Sequence, residues 1–295
     1  MATILMGILE EGFVYAIMAL GVYITYRVLD FPDLSVDGTF PLGGAVTVVL
    51  ISAGVNPLLT LPISFLIGAF AGMLTGLIHV KFKVRDLLAG IIMMTALYSL
   101  NLRIAGRANV PIFSRDTIFE NAFLDKLVPA GFDPFLTASI LFLIILVMKL
   151  LLDWYLKTKS GYLLRAVGDN ETLVTSLAKD KGTVKIIGLS VANAFTALSG
   201  CVYSQKSGFF EISTGTGTIM VGLASVIIGM NLFKKVTFVK ATTAVVIGSI
   251  VYKACVSVAI SLGMAASDLK LITAVLFLLI LIVSNDRKRR VKANA

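Results

Sequence analysis

LKTKSGYLLRAVGDNETLVTSLAKDKGTVK, residues 156–185, is the long polar interruption of an otherwise apolar chain. Lys157, Lys159, Arg165, Lys179, Lys181 and Lys185 outnumber Asp169, Glu171 and Asp180, so the stretch is basic. Asp169 or Asn170 can cap a short helix, because a side-chain oxygen there accepts from the orphan N–H groups of a first turn. Gly182 then supplies a stop. Leu173, Val174, Leu177 and Ala178 recur at i, i+1, i+4 and i+5, an apolar stripe along one side. A short amphipathic helix of this kind rests either on lipid or in a partner's cleft.

Around that interruption the chain is 57% hydrophobic and 15% charged over its 295 residues. Soluble domains carry about 25% charged residues, so this composition belongs to a membrane. Crossing a bilayer takes about 20 apolar residues. The runs 12–28, 61–80, 87–102, 135–152, 186–203, 219–233, 241–262 and 269–284 approach that length. The expected fold is all-α: a polytopic integral membrane bundle of about eight spans, one domain over 1–295, with a broken helix near 38–53.

The net charge of +9 does not require nucleic acid, because Lys and Arg concentrate in the inside loops of membrane proteins. Placing the basic tail inside puts 81–86, 157–185 and 234–240 inside as well. The charge-balanced stretch 103–133 and the Gly-rich connector 204–218 then fall outside. Residues 1–11 read as a short interfacial helix, with Glu10 and Glu11 at its wet end. MATILMGILEEG lacks a basic n-region and a small-residue cleavage site, so no signal peptide is expected.

Other features have plain structural readings. Gly68, Gly72 and Gly76 form a small-xxx-small row for close helix packing, and Gly222 and Gly229 are packing notches. Cys201 and Cys255 lie in apolar runs and read as buried packing residues. His79 is the lone histidine, which excludes a multi-histidine metal site within one chain. GTGT at 215–218 lacks the ending of a phosphate-binding loop. No Ser–His–Asp, Cys–His or paired-carboxylate constellation supports catalysis. The spans show almost no ionisable residue at mid-depth, which argues against ion-coupled transport.

RVLDFPDLSVDGTFPLGG, residues 27–44, is too polar to face lipid and too apolar for a solvated loop. Asp33, Ser35, Asp37 and Thr39 stand before a short Gly-rich helix from residue 43 to 52. A broken helix at membrane depth is tolerated where it is buried in protein or lines a cavity. The same residues also suit a plain cytoplasmic turn.

Three stretches carry a resemblance: EEGFVYAIMALGVYITYRV (10–28), DLSVDGTFPLGGAVTVV (33–49) and LLRAVGDNETLVTSLAKDKGTVKIIGLSVANAFTALSGCVYSQKSGF (163–209). Together they resemble the permease subunits of ATP-binding-cassette importers for branched-chain amino acids and ribose, above all the tryptophan- or tyrosine-type branch. The resemblance covers nearly the whole chain and keeps the motif order.

It implies a type II-like importer permease fold and a pair of permeases, identical or paralogous, around one path. It also implies two ATPase subunits holding ATP–Mg, an extracytoplasmic binding protein, no cofactor in this chain, and a bacterial inner membrane with the C-terminus cytoplasmic. By position it places Arg165, Gly168, Asp169, Asn170 and Glu171 at the ATPase, with Leu173 and Leu177 as apolar anchors. Phe31, Asp33, Ser35, Asp37 and Phe40 fall on the substrate pathway. The expected cargo is an amino acid, an aromatic one favoured. A sugar or nucleoside importer and a self-sufficient channel or carrier are the rivals.

Overall fold

The computed structural model describes residues 2–121, 133–176, 180–234, 236, 238–261, 268 and 271–282. The first helix, α1 (Ala2–Val22), runs without a break into a π-helical turn at Tyr23–Val28. The expected separate interfacial helix at 1–11 is therefore absent. Its two carboxylates are both ion-paired, although Glu11 also keeps 51% of its side chain exposed. Glu10 meets Lys206 at 3.2 Å, and Glu11 meets Lys253 at 3.0 Å. The Lys253 ammonium also sits 3.8 Å from the centre of the Tyr15 ring. With both charges matched by neighbouring helices, nothing forces the helix to end at Gly12.

The other helices are α2 (Val36–Ser52), α3 (Pro57–Lys81), α4 (Asp86–Ala105), α5 (Asp133–Tyr155), α6 (Lys159–Asp169) and α7 (Glu171–Ser176). After them come α8 (Lys181–Ser207), α9 (Thr218–Leu232), α10 (Ala241–Ser261) and α11 (Leu271–Ile282). Among the described residues seven helices are long and apolar enough to cross a membrane, while α2 and α11 are shorter. The all-α membrane bundle is as expected.

At the centre stands α8, whose 27 residues span about 40 Å. Three helices, α1, α2 (Gly43 against Ala197) and α3, press backbone to backbone against it at small residues. A Cβ added at Gly21 of α1 would stand 2.4 Å from the Ala192 carbonyl oxygen. One at Gly72 of α3 would stand 2.2 Å from the Leu189 oxygen, and one at Gly68 2.5 Å from that of Asn193. The expected row Gly68, Gly72 and Gly76 is thus the α3–α8 seam. Gly229 is likewise a notch, against Ala244 of α10. Between apolar helices in lipid such close packing is the main attraction, since no water is released there. Cys201 is fully buried as expected, but Cys255 is exposed, because α10 is apolar on its outer face as well as its inner one.

The two ends of the bundle differ. At one end β1 (Asn109–Pro111) pairs antiparallel with β2 (Phe209–Glu211), which brings the stretch after α4 against the stretch after α8. At the other, Gly182 packs on Val80, and Asp153 binds Lys240 at 3.1 Å and Thr242 at 2.6 Å. The basic loops therefore share one end, as their charge predicts, and that basic end also carries α6 and α7.

Within 156–185 the expectation of a single helix needs correction. The residues form α6, then α7, then the start of α8. Asn170 is the cap, its Oδ1 accepting from the Thr172 N–H at 3.1 Å. Gly182 is no stop: it lies in the first turn of α8. Asp180 caps that helix, accepting from the N–H groups of Gly182 and Thr183. The Thr183 hydroxyl and those two N–H groups hold the Asp180 carboxyl below the usual carboxylate range.

Candidate functional site

The site is built where α2 and α9 begin. The chain leaves the π-helical turn at the basic end, then rises through residues 29–35 toward the middle of α8. There Asn193, about 18 Å along α8 from its start, donates from Nδ2 to Asp33 Oδ2 at 2.8 Å. The Ser35 hydroxyl donates to Asn193 Oδ1 at 3.2 Å, and Asp33 Oδ1 accepts from the Ser35 N–H at 2.9 Å. Asp33, Ser35 and Asn193 are all buried. The amide thus satisfies a carboxylate and a hydroxyl together, which lets this polar turn exist at membrane depth.

From that turn α2 starts at Val36, earlier than the expected residue 43, so Asp37 and Thr39 are already helical. Asp37 reaches across to a second helix. Its Oδ1 accepts from the Ile219 N–H at 2.8 Å and the Thr218 hydroxyl at 3.0 Å, and its Oδ2 from the Gly217 N–H at 2.9 Å. These are the orphan donors of the α9 N-terminus, and a carboxylate there also matches the helix dipole. Gly217 has φ +86°, a left-handed turn that glycine adopts without strain. The N-termini of α2 and α9 therefore meet beside the middle of α8, α2 running toward the hairpin end and α9 toward the basic end. Asp33 and Asp37 sit at that joint, so the apparent lack of mid-depth carboxylates in the sequence does not survive.

Beside the joint lies a cavity of about 300 Å³ between α2, α4 and the 3-10 turn Ile212–Gly215. Asp37, Thr95, Tyr98, Asn101 and Thr216 are among its lining. That is the lower end of the range for small-molecule pockets. Of the five residues read as the pathway, Asp37 alone lines it. Phe31, Asp33, Ser35 and Phe40 are buried behind it, Phe31 edge-on to His79 and Phe40 stacked on Tyr15.

At the basic end Arg165, Asp169 and Asn170 are exposed. Gly168 instead faces inward: a Cβ there would stand 1.8 Å from the Val28 carbonyl oxygen, far inside van der Waals contact. Leu164 and Val167 are buried beside it. Leu177 lies outside the described residues, and so do the side chains of Glu171 and Leu173. Sequence reasoning missed Asn101 and Asn193, because it searched the spans for ionisable groups. A neutral amide inside an apolar run is also costly to bury, and that was the available signal.

The model of one family, the permease component of the branched-chain amino acid transport system, matches residues 4–284. The chain belongs to that family. The permease is 41% identical over 291 residues to a tyrosine transport system permease protein of Clostridioides difficile (strain R20291), covering 99% of this chain and 95% of the relative. It is 27% identical over 227 residues to the ribose import permease protein of Escherichia coli (strain K12), covering 76% and 68%. An uncharacterized protein of Rickettsia prowazekii (strain Madrid E) is 32% identical over 277 residues, covering 92% and 94%. No solved structure matches the permease.

Proposed function

We propose that the permease is the membrane subunit of an ATP-driven importer of an amino acid, an aromatic one favoured. The observation that carries this reading is the 41% identity, along 99% of the chain, to a tyrosine transport permease. In this reading residues 1–295 form one domain in a bacterial cell membrane, with the C-terminus cytoplasmic. Two such chains, or this chain and a paralogue, sit on two ATPase subunits that hold ATP–Mg. A binding protein delivers solute at the hairpin end, and the chain itself needs no cofactor.

The coupling surface is the exposed face of 157–185, with Arg165, Asp169, Asn170 and Glu171 at the ATPase and Leu173 and Leu177 as anchors. Gly168 acts one layer further in, where α6 grips the π-helical turn. Leu29 continues that contact onto Gly188 of α8, which Leu164 of α6 also touches. A push on α7 is thereby passed through Val28 and Leu29 into residues 29–35, and so to Asp33 and the start of α2. Movement of the joint then changes the cavity at Asp37, while Phe31, Ser35 and Phe40 hold the turn in place.

ATP-dependent tyrosine uptake by liposomes holding the permease, its ATPase and its binding protein is the expected result. A self-sufficient carrier is the second reading, favoured by the two carboxylates at the joint. Gradient-driven uptake by the permease alone, indifferent to ATP, would establish it and overturn the first. Coupling has its own test. Leu173→Asp with Leu177→Asp places two charges in the sequence's apolar stripe, a costly desolvation inside a protein cleft. The variant is expected to insert normally and to lose co-purifying ATPase. Normal coupled ATPase activity in it would rule out docking through that stripe.

A further inference from the structure

Asn101 of α4 is fully buried, and its Nδ2 donates to the Gly38 carbonyl oxygen at 2.9 Å. That bond settles which way the amide faces, because swapping N and O would oppose two acceptors. Its Oδ1 is left without a hydrogen-bond partner among the described residues. A buried acceptor without a donor is expensive in a folded protein and calls for a reason. Asn101 lines the cavity at the joint, as does Asp37 of the residue pair Asp37–Gly38. Asp37 is held by donors at the start of α9, Oδ2 by the Gly217 N–H, and it brings a carboxylate to the same cavity wall.

We propose that Asn101 Oδ1 and Asp37 Oδ2 form a subsite for the ammonium group of the transported solute. The inference rests on the amino-acid reading and deepens it by naming the group recognised. Among the described residues no Lys, Arg or His lines the cavity, so none of them neutralises a solute carboxylate there. An ammonium carries three donors and a positive charge, which suits one anionic and one neutral acceptor on adjoining helices. A hydroxyl brings a single donor and no charge. Tyr98, half exposed at the cavity wall, supplies an aromatic face beside the two acceptors.

The test measures binding of three probes to the purified full-length permease in nanodiscs by saturation-transfer NMR: tyrosine, tyramine and 3-(4-hydroxyphenyl)propionate. Tyrosine and tyramine are expected to bind at least about tenfold more tightly than the propionate, the scale of one lost charge-assisted hydrogen bond. Asn101→Leu should erase that difference, and Asn101→Asp, which keeps an acceptor, should preserve it. Equal affinity for all three probes on the wild-type chain overturns the subsite, whatever the variants do. An unchanged preference in a folded Asn101→Leu permease overturns it too. If the complete importer takes up tyrosine while the probes bind alike, the subsite fails and the amino-acid reading stands. Uptake of ribose instead of tyrosine removes the reading on which the subsite rests.

Discussion

Asn193→Leu is expected to destabilise the permease by about 3 kcal/mol, because it orphans a buried carboxylate oxygen and a buried hydroxyl in one step. Leucine keeps asparagine's branching at Cγ but is bulkier, so some overpacking adds to the lost hydrogen bonds. Asp33 is 1% exposed and Ser35 is 0% exposed, so water cannot replace the missing amide. Denaturant unfolding of the detergent-solubilised protein reads the loss directly. The double variant Asp33→Leu with Asn193→Leu supplies the decisive comparison. Removing both partners of a buried hydrogen bond costs much less than removing one, so the double variant should be more stable than the sum of the singles predicts. Simple additivity would show that the Asn193–Asp33 bond contributes nothing to the joint.

The second large effect is expected at Gly200. A Cβ there would stand 1.8 Å from the Phe40 carbonyl oxygen, and one at Gly43 1.8 Å from that of Ala197. Both obstacles are backbone, which cannot swing aside as a side chain can. Gly200→Ala must therefore push α2 away from α8, at a cost of about 2 kcal/mol for overpacking. The functional loss should exceed the stability loss, since α2 carries Asp37 to the α9 N-terminus and tolerates little displacement there. ATP-dependent uptake is expected to fall to background while folded protein is still recovered. Gly7→Ala, with open space around the site, serves as the control and should import normally. Wild-type uptake by Gly200→Ala would mean that the α2–α8 contact does not position the joint.

The structure also explains why some features of the site were legible and others were not. The row Gly68, Gly72 and Gly76 was readable because helical spacing alone puts these residues on one stripe, and only helix–helix contact rewards small residues there. The polar break at 27–44 was readable as an anomaly, but not its purpose: DFPDLS suits a solvated turn as well as a buried one. Asp37 binds residues about 180 positions away, and Asn193 binds Asp33 across 160 positions. No local pattern encodes such pairings. The same holds for Glu10 and Glu11, whose lysine partners belong to α8 and α10. Within 156–185 the Asn170 cap was legible, but Gly182 was misread as a stop, because a glycine also suits the first turn of a helix that the preceding Asp180 caps.

By itself, then, the sequence determined the membrane-bundle class, most of the spans, the clustering of the basic loops at one end and the family. These follow from hydropathy, charge and motif order, which are properties of the chain read one segment at a time. Only the tertiary structure decided that α2 and α9 begin beside the middle of α8, that Asp37 faces a cavity while Asp33 is sealed, and that Asn101 Oδ1 finds no donor among the described residues. Those outcomes depend on which helices come within a glycine's width of one another, and depth within a bundle is set by that contact and not by position along the chain.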